Sequence, residues 1–262
     1  MKLFALCSFY QESPTWLASY VAATARLCDH IVFVDGAYVL YDSEGSSSGV
    51  ESHDAIARAC HAAGIPFTLH VPETAWLGNE VEKRAFMFKL AESLSTEDDY
   101  YAVLDVDMPV TRVDREQVRQ DLERKEFDVY EGSLIERWDW NTGPNGALII
   151  PRENEGTPPV SACWHTFLFR AIRGLTVSGA HYLYVYPDET AKWGLRALWG
   201  PGTEYDVAPA GRLSVDIEHW SKFRPKDRRN AAMDYYTRRD NARIERTSRN
   251  YVENVEGELE EI

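Results

Sequence analysis

Short apolar runs alternate with amphipathic stretches through the first 110 residues, and the alternation predicts strands and helices in turn. Leu3 to Phe9 is an almost unbroken apolar run that reads as a buried strand. Ser13-Pro14 then offers an N-cap and a first-turn proline, and Trp16, Leu17, Tyr20, Val21, Thr24 and Leu27 recur at helical spacing. Ile31 to Val34 is a second, β-branched run that ends at Asp35-Gly36. The polar, Gly/Ser-rich stretch 42–53 marks a surface loop, followed by a helix predicted from Ser52 to Ala63 and closed by Gly64. A third strand is expected from Phe67 to Val71. A third helix is expected from Asn79 to Leu94, with Val81, Ala85, Phe88 and Ala91 on one side. Tyr101 to Leu104 enters a fourth buried strand and runs into Asp105-Val106-Asp107.

Strands and helices in strict alternation imply a mostly parallel α/β sheet covered on both faces. Beyond residue 110 the pattern changes. Phe127 to Ile135, Ala147 to Ile150, Phe167 to Phe169, Leu175 to Val177, Tyr182 to Tyr186 and Leu213 to Ile217 read as strands between Gly/Pro-rich loops, and Pro225 to Arg249 as one long polar helix. The expected organisation is a first half, 1–110, a mixed second half of the same domain, 111–220, and a basic helix with an acidic tail, 221–262. No internal repeat is present.

Composition narrows the classes. Hydrophobic residues make up 44% of the 262 positions and aromatics 12%, enough for a substantial core, which excludes a largely disordered chain. No apolar run approaches the roughly 20 residues of a membrane span. The opening MKLFALCSFYQESP lacks a basic n-region and a cleavage site, so a cytoplasmic protein without membrane association is expected. Cys7, Cys28, Cys60 and Cys163 lie far apart and read as reduced thiols. The net charge of −14 disfavours a nucleic-acid partner, although Ser221 to Arg249 holds ten basic residues against four acidic ones.

In an open α/β sheet ligands bind outside the carboxyl ends of the strands, so the residues after each apolar run carry the candidate chemistry. They are Ser8-Phe9-Tyr10-Gln11-Glu12, Asp35-Gly36 and Asp105-Val106-Asp107. Carboxylates two apart at a strand end can point the same way and share a hard divalent cation, and without a counter-ion their repulsion raises one pKa.

Taken in order, LFALCSFYQES, IVFVDGA, the helix with Glu82-Lys83-Arg84, and YAVLDVDMPV resemble the nucleotide-sugar-dependent glycosyltransferases of the GT-A fold, the last being their DxD element. The resemblance implies a Rossmann-like sheet and a small non-processive transferase that uses Mn²⁺ or Mg²⁺ and a nucleoside diphosphate sugar, a UDP-sugar by default. It implies Phe9 or Tyr10, with Glu12 nearby, beside the base. Asp35 would accept hydrogen bonds from base or ribose, Lys83 or Arg84 would meet base or phosphates, and Asp105 and Asp107 would serve ribose and metal. His219 is a candidate third metal ligand, and Arg224 and Arg228 are candidate phosphate contacts at a helix start. Glu136, Asp139, Asp188 and Glu189 are possible catalytic bases. Asp188 is preferred because Tyr-Pro-Asp-Glu leaves a strand for a loop. Inversion and retention both stay open, as does the acceptor. A sugar nucleotidyltransferase ranks lower for want of a Gly-rich phosphate loop. A non-catalytic carbohydrate- or protein-binding module is the alternative from another class, which the Trp-rich second half would suit.

Overall fold

A computed structural model describes residues 1–39, 45–76, 80–136, 161–178, 183–185, 192–194, 210–220 and 230. Within them the chain order is β1 (Leu3–Ser8), α1 (Pro14–Thr24), β2 (His30–Val34), α2 (Val50–Ala63), β3 (Phe67–His70), α3 (Glu80–Glu92) and β4 (Tyr100–Val103). Then come β5 (Val110–Val113), α4 (Arg115–Glu123), β6 (Val129–Glu136), β7 (Ser161–Arg170), β8 (Thr176–Ser178), β9 (Leu183–Val185), β10 (Lys192–Gly194) and β11 (Gly211–His219). The predicted strand 147–150 lies outside the described residues, as does the predicted helix 225–249 apart from residue 230.

Eight strands form one sheet in the order β3-β2-β1-β4-β7-β6-β11-β5. β3, β2, β1 and β4 run parallel, β7 is antiparallel to both β4 and β6, β11 is parallel to β6, and β5 closes the edge antiparallel. This is a mixed α/β, Rossmann-like sheet flanked by helices, consistent with a GT-A fold. β8, β9 and β10 form a separate antiparallel sheet.

Period-two alternation divides the core. Leu3, Ala5 and Cys7 of β1, Ile31 and Phe33 of β2, and Tyr100 and Ala102 of β4 pack with Leu17, Tyr20, Ile56, Val118 and Leu122 from α1, α2 and α4. Phe4, Leu6, Val32, Val34, Tyr101 and Val103 face Met87, Phe88 and Ala91 of α3 and Val177 of β8. Both faces are covered, which is why these strands are apolar at nearly every position.

Three expectations are corrected. The buried residues of α3 are Glu80, Lys83, Arg84, Met87, Phe88 and Ala91, with Val81 and Ala85 only half-buried, because two cations are drawn inward by partners on the sheet. β7 runs ten residues rather than three, since only its Phe167–Phe169 end is buried enough to read as an apolar run. β5 and α4 carry too few apolar residues to stand out in the pattern. α4 forms on the Asp114 cap, which accepts the Gln117 N–H, and buries Val118 and Leu122.

Asp29 ties β1 to α4. Its carboxylate accepts the Leu3 N–H (2.9 Å), Arg115 (2.5 Å) and both oxygens' bonds from Arg119 (2.7 and 2.6 Å). Asp29→Ala should therefore lower the unfolding free energy by roughly 2–3 kcal/mol, seen as a lower urea midpoint with an unchanged slope.

Candidate functional site

After β3 the chain crosses back over β2 and β1 to enter β4, so the sheet order reverses between β1 and β4 and opens a crevice beyond their carboxyl ends. The parallel arrangement brings Phe9, Asp35 and Asp105 to this edge. Because β7 is antiparallel to β4, its early residues reach the same edge, and β11 delivers Glu218, His219 and Trp220 there.

Asp35 is fully buried and its carboxylate accepts four hydrogen bonds from the chain itself. Oδ1 takes the Gly36 N–H (2.6 Å) and the Ser48 hydroxyl (2.7 Å); Oδ2 takes the Ser48 N–H (2.8 Å) and lies 2.7 Å from His53 Nε2. Its effect is to fold the segment 45–49 back onto the strand ends. Ser48 Oγ in turn accepts the Gln11 N–H (2.7 Å), and the Tyr10 hydroxyl donates to the Gly45 carbonyl (3.1 Å). Gln11 sits in the left-handed region (φ 49°), where the chain turns sharply after β1. Phe9 is buried edge-to-face against Phe33 and His53. Glu12 is buried, and its carbonyl accepts the Ser52 hydroxyl (3.2 Å).

Gly36 follows with φ +118°, and a Cβ there would lie 2.5 Å from Pro72 Cγ and 2.6 Å from Trp76 Nε1. The Trp76 indole donates to the Asp35 carbonyl (2.9 Å). Lys83, 1% exposed, donates to the carbonyls of Phe9 (2.5 Å) and Gly36 (2.8 Å). Burial pushes its ammonium down to about 7, against an opposing pull from Asp35.

Residues 105–108 form a turn, closed by the Met108 N–H on the Asp105 carbonyl (2.8 Å), and the two carboxylates leave it toward different partners. Asp105 accepts from Arg84 (2.6 Å). Asp107 lies 4.0 Å from His219 Nε2, and its carbonyl accepts the Trp220 N–H (2.7 Å). Each carboxylate of the pair thus has a different neighbour. Trp220 packs edge-to-face on Trp16 of α1 (6.0 Å), and its indole donates to Glu218 (3.0 Å). Among the described residues no three His, Cys, Asp or Glu side chains gather closely enough to hold a metal ion alone.

His165 was not read from the sequence as a site residue. It is pushed down to about 4, first by burial, with Asp105 pulling up and His219 and Arg84 pushing down, which sets it in the field of the same cluster. Ser48 and His53 were also missed. Finding His165 depends on how β7 pairs with β4, from Tyr100 opposite Arg170 to Ala102 opposite Leu168, and no local signal gives that register. Asp139, Asp188, Glu189, Arg224 and Arg228 lie outside the described residues, and of Glu136 only the backbone is described.

No protein-family model matches the chain, and no curated protein matches it in sequence. Among solved structures it is similar to S. aureus TarS 1-349, with 14% identity and TM-score 0.33 over 53% of this chain and 36% of that one. It is similar to S. aureus TarS with 12% identity and TM-score 0.35, over 52% and 22%. It is also similar to 4-diphosphocytidyl-2C-methyl-D-erythritol synthase with 17% identity and TM-score 0.32, over 65% and 75%. The chain thus spans about a third or less of the two TarS structures. No helix among the described residues is long and apolar enough to cross a membrane.

Gly36→Ala combines a forbidden φ with two close contacts, so it should cost about 2–4 kcal/mol and lower the melting temperature. Lys83 gives a pH signature. Between about pH 7 and 10.5 the unfolded chain keeps the Lys83 proton that the folded chain has released, so raising pH favours the folded state. The buried thiols Cys7, Cys28 and Cys60, held above their usual range by burial, act in the opposite sense once free thiols ionise near pH 8.5. Stability should therefore rise from pH 7 to about 8.5 in urea titrations, and Lys83→Met should abolish that rise.

Proposed function

We propose that the chain is a metal-assisted transferase that binds a nucleoside diphosphate sugar, a UDP-sugar by default, in the crevice beyond β1 and β4 and moves the sugar to an acceptor. The observation that supports this most is the division of labour at the β4 turn: Asp105 is matched by Arg84, and Asp107 faces His219. An oxygen and an imidazole nitrogen 4.0 Å apart do not close a protein cage. They suit a divalent ion that brings further ligands with it, as diphosphate oxygens would. Asp107 and His219 would hold that ion, and the nitrogen donor favours Mn²⁺ over Mg²⁺. When bound, the ion would supply positive charge to the diphosphate leaving group.

The remaining roles fall to the chain's own residues. Arg84, fixed by Asp105, is the cation aimed at the base or phosphates. Phe9, Tyr10 and Glu12, buried just past β1, would back the side of the crevice offered to the base, and Asp35 would shape it by holding Ser48. Asp188 is kept as the proposed base, and Arg224 and Arg228 as further phosphate contacts. One observation favours a binding module instead: Trp164 is 48% exposed, with the Arg212 guanidinium 4.5 Å from its ring centre, a surface on which a sugar could stack.

Thermal melts with UDP-, GDP-, TDP- and CMP-sugars, each with and without Mn²⁺, test the proposal. A donor at a hundred times its Kd should stabilise the native chain by about 2.7 kcal/mol, only with metal present, and Asp107→Ala should erase the metal-dependent part. A flat response to all four donors would sink it. Glycan binding that Asp107→Ala leaves unchanged would favour the module.

A further inference from the structure

A lysine is almost never wholly buried without partners, and α3 could have packed at this position with leucine or methionine at no electrostatic cost. Lys83 is 1% exposed, and the places its protons go are specific. Two go to main-chain carbonyls, Phe9 just past β1 and Gly36 just past β2, which are 74 and 47 residues away in the chain. The ammonium also lies 5.3 Å from the centre of the Tyr38 ring. Its three N–H groups are thus matched by two carbonyls and an aromatic face, all from the chain.

Those carbonyls belong to the two segments that everything else at this end of the crevice hangs from. Phe9 carries the turn through Tyr10 and Gln11, which hold Gly45 and Ser48. Gly36 adjoins Asp35, which gathers Ser48 and His53, and the Phe9 N–H joins the two segments through the Val34 carbonyl (3.1 Å). Pulling on either carbonyl therefore moves the segment 45–49 as well. Arg84, one residue on, faces Asp105 instead, so the two cations of α3 serve different strand ends.

We infer that Lys83 is a positioning residue, one that clamps the ends of β1 and β2 in the arrangement offered to the nucleoside half of the donor without touching the donor itself. The inference rests on the donor-crevice reading above. Neutralising the amine would still leave two N–H groups for two carbonyls, so the clamp needs the donors of Lys83 more than its charge.

The test compares the native full chain with Lys83→Met and Lys83→Arg. Amide hydrogen exchange of the free proteins reads the clamp: Lys83→Met should speed exchange at least tenfold at 9–12, 35–37 and 45–48, leaving α4 as in the native chain. Affinity is read with UDP, GDP, TDP and CMP plus Mn²⁺, and whichever binds the native chain should bind Lys83→Met at least tenfold more weakly. Unchanged exchange at these segments, or faster exchange with unchanged affinity, overturns the inference. If Lys83→Met does not melt cooperatively, Lys83→Arg carries the comparison, because it keeps N–H donors. Native-like exchange with affinity within threefold supports positioning, as does faster exchange with weaker binding. Native-like exchange with a tenfold loss of affinity assigns direct contact with the donor and overturns it. A native chain that binds none of the four nucleotides refutes the transferase reading, while the exchange comparison still decides whether the clamp exists.

Discussion

Two charges removed from water, the Asp35 carboxylate and the Lys83 ammonium, hold the two main-chain groups of Gly36, which belong to the peptide units on either side of its Cα: the carboxylate accepts its N–H and the ammonium donates to its C=O. Each charge would be costly alone in this interior, and each is made tolerable by backbone groups at a strand end that must themselves be satisfied. The result is a hub where β1, β2, α3 and the 45–49 segment meet. Glycine at position 36 is required by the same hub, since any side chain would enter the space that Pro72 and Trp76 fill.

The sheet order decides what stands beside that hub. The order reverses between β1 and β4, and the antiparallel entry of β7 and return of β11 deliver histidines to the far side of that switch point. One wall is thus built from the apolar and hydrogen-bonding ends of β1 and β2. The other is built from Asp105, Asp107, His165 and His219. Trp16 packed on Trp220 joins the walls at the level of the core, so the chain's first helix supports the strand that carries His219.

Much of the first half was legible because strands covered on both faces must be apolar at successive positions, and β1, β2 and β4 could be read almost to the residue. The strand-end acids Asp35, Asp105 and Asp107 followed from the same logic. What the pattern could not carry was direction. Lys83 and Arg84 look like a solvated helix face until their partners, 21 to 74 residues away, are known. Likewise the Ser-rich stretch read as a surface loop, because nothing local reveals that Ser48 and His53 fold back to Asp35. His165 depends on the register of β7 against β4, a long-range property that no local periodicity encodes.

Adjacent residues on a helix point about 100° apart, and α3 uses that angle to send Lys83 to the β1 and β2 ends and Arg84 to the β4 turn. Mechanically, three strand ends are geared to a single shaft. A slip of α3 by one residue, about 1.5 Å along its axis, would turn both cations away from their seats together. No strand end can be released by such a motion while the others stay engaged, so with respect to α3 the crevice floor is either assembled or not.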